Sequence, residues 1–143
     1  MYRTRKSTKQ YNPQKEREQL FAKIKECPFC NLENERIVKS GKHLSVINNI
    51  YGYDMWDLNG VISHLLIVPH RHIEGISQMS DKEKHELIGY ISEYESLGYN
   101  IYARELNNSI KSVLHQHVHL IKTDQKTSKF FLFIKKPYIH FRV

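Results

Sequence analysis

The sequence predicts an α+β fold: a mostly antiparallel five-stranded sheet with one long helix and one or two short ones. Three observations carry this expectation. "VISHLLIV" (61–68) is apolar on both faces apart from Ser63 and His64, as a central strand is. "SQMSDKEKHELIGYISEYESLGYN" holds one clear helical pattern. The other apolar segments are short and follow one another through hairpin-like links, which favours antiparallel pairing.

Taken in order, Pro13 to about Glu26 suits a short helix leading into "CPFC". "HLSVINNI" (43–50) alternates and reads as a strand, and Tyr51 to Asn59, with two glycines nearby, reads as a loop. Pro69 stops the central strand. Ser80 with Glu83 makes a capping box, Leu87, Ile88, Ile91, Tyr94 and Leu97 recur at helical spacing, and Gly98 is a natural C-cap. "YNIYARE" (99–105), "KSVLHQHVHLIK" (111–122) and "KFFLFI", before Pro137, complete the strands. There is no internal repeat and no low-complexity tract. The division expected is a basic arm over 1–20 and one domain over 21–143.

Composition is that of an ordinary globular protein, 40% hydrophobic and 26% charged, and 143 residues suffice for a buried core. The longest apolar stretches, "HLLIVP" (64–69) and "FFLFI" (130–134), are too short to cross a bilayer, so no membrane partner is expected. No charged-then-apolar leader opens the chain, and the expected location is cytoplasmic. Net charge is +7, much of it in the first 25 residues. Such a cluster attracts polyanions, but its bland reading is a solvated terminus. Nucleic-acid binding through this arm is not favoured, because no zinc-finger series or RRM aromatic motif accompanies it.

Two stretches carry chemistry. Along "SVLHQHVHLI" (112–121), alternation sends Leu114, Val118 and Leu120 towards the core, with Gln116 as a polar exception. His115, His117 and His119 then share the opposite face. Three imidazoles in strict alternation suit a metal site or catalysis better than a bland surface. "CPFC" has three readings: a redox pair, two inert thiols, or half of a zinc site. No βαβ pattern supports the first.

"HQHVHLI" resembles the signature of the histidine-triad (HIT) superfamily, and the similarity extends upstream. "SHLLIVPHRHIEGISQMSDKE" (63–83) is similar to the family's second block, while "CPFC" and "INNIYGY" (47–53) fit its layout. The resemblance covers roughly residues 27–122 in order and spacing. It implies a HIT fold, a homodimer, and a nucleotidyl hydrolase cleaving at the α-phosphate of a nucleotide conjugate. Phosphoramidase or dinucleoside polyphosphate hydrolase chemistry would be of this kind. His117 would attack phosphorus to form a covalent nucleotidyl-histidine, a role neutral imidazole suits near pH 7. His119 would contact the phosphoryl oxygens or leaving group, and His64, the fourth histidine, would help orient the nucleophile.

The resemblance further places Asn49 at the ribose and Ser112 near the phosphate or leaving group. It completes a structural zinc site by adding His72 and His115 to Cys27 and Cys30. His70, two residues from His72, stays outside that set. The chain departs from the family in two places. Ile110-Lys111 stands where a Gly-Gln or Gly-Ala pair often opens backbone amides to phosphate, so Lys111 would supply a point charge instead. Gly52 stands where one variant has proline. These changes leave the base and leaving group open. The third position of the triad is histidine rather than the glutamine of the transferase branch, which favours hydrolysis. The alternatives are a nucleotidyltransferase or phosphorylase of the same fold, and a non-catalytic nucleotide- or nucleic-acid-binding module.

Overall fold

In the computed structural model, residues 27–127 and the strand segments 134–135 and 138–139 are described. The strands are β1 (Ile37–Ser40), β2 (Leu44–Asn48), β3 (Met55–Trp56), β4 (Asn59–Pro69), β5 (Asn100–Ala103) and β6 (Val118–Thr123), with helix α1 (Asp81–Ser96) between β4 and β5. They form one antiparallel sheet in the order β1-β2-β4-β6-β5, with β3 pairing β4 off this path. The expected α+β class with five principal strands and one long helix is therefore the one adopted. Among the described residues the short helical pieces are two single 3₁₀ turns, Asn34–Arg36 and Ile76–Gln78. The basic arm and the Pro13–Glu26 helix lie outside the described residues. Of "KFFLFI" only its end is described: Ile134–Lys135 (β7) pairs Tyr138–Ile139 (β8) in a separate ribbon.

The helix forms as its caps dictate. The Ser80 hydroxyl accepts from the Glu83 amide while the Glu83 carboxylate accepts from the Ser80 amide. At the other end Gly98 adopts φ +84°, and its amide and that of Tyr99 donate to the carbonyls of Glu95 and Tyr94. This is a Schellman motif, with the Tyr94 and Tyr99 rings closing it edge to face at 5.3 Å. Leu87, Tyr90 and Tyr94 are buried against the sheet, whereas Ile88 of the expected stripe is 63% exposed. Tyr90 takes the inward position instead.

Alternation on the central strands then separates two faces. Leu44, Val46, Leu65, Ile67, Val118 and Leu120 meet the helix in the main core. Ile47, Leu66 and Val68 face the other way and are covered by Phe29. His64 alternates with the helix-side residues of β4 and His119 with those of β6, so both imidazoles rise from this second face.

Three expectations need correction. The strand read over 111–122 begins only at Val118, so His115 and His117 precede it. The β4 ladder ends at Ile67–Val118, and two residues on Pro69 has no amide to offer an incoming strand. Leu114 is consequently 54% exposed rather than packed on the helix. The loop read over 51–59 contains β3 and a two-residue hairpin turn at Asp57 (φ 47°) and Leu58 (φ 63°). Strand β1 has no alternating apolar pattern and was not expected; it pairs only β2, at the sheet edge. Among the described residues, no helix is long and apolar enough to cross a membrane.

Candidate active site and metal centre

The segment entering β6 sets three imidazoles side by side, and hydrogen bonds select the tautomer of each. His115 Nε2 lies 2.9 Å from the Pro69 carbonyl, so Nε2–H donates and Nδ1 keeps its lone pair. His117 Nδ1 donates to the His115 carbonyl at 2.8 Å, which leaves Nε2 as the lone-pair nitrogen. The His64 Nδ1 accepts from the Tyr53 amide at 3.0 Å, so its Nε2–H donates to His119 Nδ1 at 2.9 Å. His119 is then protonated at Nε2. His64 is thus bonded to His119, and the group bonded to the His117 ring is a backbone carbonyl.

All four histidines are at least nine-tenths buried. Burial pushes the His117 imidazole down to about 4, so the ring is neutral at pH 7. The positive charges of Lys111 and Arg104 act in the same direction. Its centroid lies 5.0 Å from that of His119 and 5.3 Å from the Phe29 ring. A buried neutral imidazole whose Nε2 carries the lone pair, next to one carrying Nε2–H, has the chemistry to serve as a nucleophile beside a hydrogen-bond donor.

Asn49, just past β2, sets its amide nitrogen 3.2–3.3 Å from the two ring nitrogens of His64. Ser112 is half-buried in the segment that leads into His115. Lys111 is placed differently from the expectation. It is 4% exposed, and its Nζ donates to the Glu74 carbonyl at 2.6 Å and to Gln116 Oε1 at 3.1 Å. The Gln116 amide in turn donates to the His117 carbonyl. The ammonium is turned inward because the irregular segment offers it two buried acceptors, and this ties the histidine segment to the loop after β4.

Next to the imidazoles, "CPFC" forms a turn in which the Cys30 amide donates to the Cys27 carbonyl. One donor atom each from Cys27, Cys30, His72 and His115 lies within 4.8 Å of all the others, close enough together to hold a metal ion. Cys27 Sγ is 3.4 Å and Cys30 Sγ 3.6 Å from His115 Nδ1, and Cys30 Sγ is 3.3 Å from His72 Nδ1. The edges of a tetrahedron with thiolate and imidazole bonds to zinc run roughly 3.3–3.8 Å, the range in which these three separations fall. His115 meets a further requirement: its other nitrogen donates to a carbonyl, as metal-bound imidazoles do. His70 lies outside the cluster, its Nε2 2.8 Å from Ser45 Oγ.

Several residues near the histidines escaped the reading of the sequence. Tyr53 packs on His64 and His119 at 4.4 and 5.6 Å, and Tyr102 on His119 at 5.6 Å. Trp56 reaches Tyr102 at 5.1 Å, and the Arg104 guanidinium lies 5.4 Å from the same ring. Phe29 touches both His115 and His117. The available signals were an aromatic between the two cysteines and an aromatic–cation pair at the end of a strand; neither is specific by itself.

A family model described as proteins similar to the CwfJ C-terminal region matches residues 14–136. No curated protein sequence matches the chain. The structure is similar to a HIT family hydrolase from Legionella pneumophila, with 23% identity, TM-score 0.52, and coverage of 71% of this chain and 96% of that one. It is similar to a HIT family hydrolase from Clostridium thermocellum, with 20% identity, TM-score 0.51 and coverage of 75% and 98%. It is also similar to a HIT family protein from Bacillus anthracis, with 16% identity, TM-score 0.53 and coverage of 79% and 84%. At these identities the likeness establishes the fold, which is the HIT fold.

Proposed function

Since the chain belongs to the family of proteins similar to the CwfJ C-terminal region, and carries four histidines on one face of a HIT fold, we propose that it is a nucleotidyl hydrolase. Its substrate is a nucleotide conjugate, cleaved at the α-phosphate. One observation carries the reading: the His115 carbonyl fixes the His117 tautomer that leaves Nε2 free to attack.

In the first step His117 Nε2 bonds to the α-phosphorus and the bond to the leaving group breaks, with its electron pair going to the leaving atom. His119 Nε2–H stabilises the phosphoryl oxygens or donates to a leaving group that needs a proton, and His64 holds His119 in that tautomer. In the second step water attacks phosphorus, the P–N bond breaks, and nucleoside monophosphate leaves. Asn49 serves the ribose and Ser112 the phosphate. Lys111 acts as a positioning residue, through Gln116, in place of the phosphate contact first expected of it.

Cys27, Cys30, His72 and His115 hold zinc in this reading. The ion is structural: four protein ligands close its coordination, and it fastens the "CPFC" turn to the segment carrying His117. A homodimer and a cytoplasmic location accompany the reading.

The test is a quench of the protein in mid-turnover with a labelled nucleoside phosphoramidate, with and without inorganic phosphate. An acid-labile label on His117 and nucleoside monophosphate as product support hydrolysis. Nucleoside diphosphate formed from added phosphate would favour the phosphorylase alternative. Binding without turnover would leave a nucleotide-binding module.

A further inference from the structure

The four residues close enough together to hold a metal ion are not equally well fixed. Cys27 and Cys30 share a turn closed by the Cys30 amide. His115 is buried, and its Nε2 donates to the Pro69 carbonyl. His72 is exposed, and among the described residues its ring meets no hydrogen-bond partner besides Cys30 Sγ, at 3.3 Å. A metal-bound imidazole needs its direction set. For His72 that task falls to the backbone that carries it.

The loop after β4 is pinned on both sides of this residue. Before it, the His70 amide donates to the His43 carbonyl at 2.8 Å. After it, the Ile73 carbonyl accepts from the Gln116 amide at 2.6 Å, and the Ile73 side chain is buried in the main core. Between these two, the anchor is a side chain. Arg71 donates through Nη2 to the Gln78 carbonyl at 2.9 Å, and through Nε and Nη2 to the two oxygens of Glu83 at 3.2 and 2.8 Å. Glu83 is 5% exposed, and its carboxylate also accepts from the Ser80 amide, so the fork closes on a group that the first turn of α1 already holds. A guanidinium fork on a carboxylate fixes direction as well as distance, which a lysine ammonium does not. One side chain thereby ties the loop across itself and to the helix, one residue from His72.

On the reading of Cys27, Cys30, His72 and His115 as a zinc site, we propose that Arg71 is a positioning residue of that site, aiming His72 through its fork on Glu83. Arg71 is not a ligand; it acts through the backbone that it shares with His72. The start of α1 is then part of the support of the metal centre. Without the fork the loop keeps its anchors at His70 and Ile73, and the chain between them is free to turn the His72 ring away from the other three donors. Zinc left on three protein ligands departs more readily.

The test follows zinc loss from the loaded, full chain into an excess of pyridylazoresorcinol, a chelator whose zinc complex is coloured. Arg71→Gln should release zinc about tenfold faster, the lower end of the range for groups that orient metal ligands. Glu83→Gln keeps the cap, since glutamine also accepts from the Ser80 amide, but it gives the fork a neutral acceptor and should speed release by a smaller factor. The two substitutions together should be no faster than Arg71→Gln alone, because they break one interaction. Gly98→Ala, which loosens the far end of the same helix, should leave the rate unchanged. If Arg71→Gln does not fold, Glu83→Gln decides by itself. Release at the unsubstituted rate, factors that multiply in the double variant, or an equal acceleration in Gly98→Ala would overturn the positioning role while leaving the zinc site intact. An unsubstituted protein that carries no zinc would instead overturn the metal reading on which the role rests.

Discussion

His117 Nδ1 lies 2.8 Å from the carbonyl oxygen of His115, two residues back along the same chain segment. The donor and acceptor are held by different things: the ring by its burial, the carbonyl by an imidazole placed to ligate metal. Replacing His117 by alanine should lower turnover roughly 10³-fold or more and abolish the trapped adduct. Replacing His119 should slow the reaction while leaving some adduct detectable by the same quench. Substantial turnover in His117→Ala would remove that residue as nucleophile.

Metal content gives a second prediction. The purified chain should carry one zinc, and Cys27→Ser should lose the metal together with thermal stability. The check is elemental analysis alongside a melting curve. Native stability in metal-free protein, or a Cys27–Cys30 disulfide under reducing conditions, would remove the metal site.

Lys111 supplies a third. Its ammonium fills two buried acceptors, and replacement by methionine leaves the Glu74 carbonyl and Gln116 Oε1 without it. The expected cost is about 1–3 kcal/mol of unfolding free energy. The Michaelis constant should keep its salt dependence, since the charge is turned away from phosphate. A flattened salt dependence with unchanged stability would restore the phosphate contact.

The capping box gives a pH dependence. Arg71 donates to both oxygens of Glu83 at 3.2 and 2.8 Å and holds its carboxylate down at about 2, against an ordinary value near 4.5. A carboxylate depressed on folding contributes stability that is complete above its unfolded value and fades as pH falls through its folded one. Glu83→Gln should therefore cost about 1–2 kcal/mol at pH 7, allowing for the screening of half-exposed Arg71, and much less near pH 2. Urea midpoints at the two pH values measure it; equal differences at both would show that the ion pair is not the source.

Gly98 provides the simplest case. A Cβ there would meet only Lys122 Cε at 3.8 Å, so space is not the obstacle. With φ at +84° the cost of Gly98→Ala is conformational, about 1 kcal/mol, and should appear as a lower melting temperature with unchanged helix content.

Local signals were legible wherever the chain satisfies itself locally. Ser80, Glu83 and Gly98 declare the helix ends because capping involves only neighbours. Residues 64–68 declare a central strand because both faces are buried, although Ile62 before them is 63% exposed. The quartet close enough to hold a metal ion follows from residue type once a family resemblance supplies the pairing. What stayed hidden depends on partners distant in sequence. The register of β6 is cut short by Pro69 on another strand, and the fate of Lys111 is decided by the Glu74 carbonyl. The β3–β4 hairpin hid for a different reason. Its turn uses Asp57-Leu58, while Asn59-Gly60, the dipeptide that advertises such a turn, belongs to β4.

The order β4-β6-β5 has a consequence for synthesis on the ribosome. Strand β6 is the last of the sheet's strands to emerge, yet it occupies an interior slot, between two strands made earlier. Until Thr123 has left the exit tunnel, β4 keeps one edge unpaired and β5, whose strand partner among the described residues is β6, is not paired at all. A nascent chain stalled before Val118 thus lacks His119 and is prone to pair with its neighbours on a polysome. Completion of the histidine face and protection from aggregation arrive in the same insertion event, and translational pausing downstream of Thr123, once the tunnel length is added, would favour yield over pausing upstream.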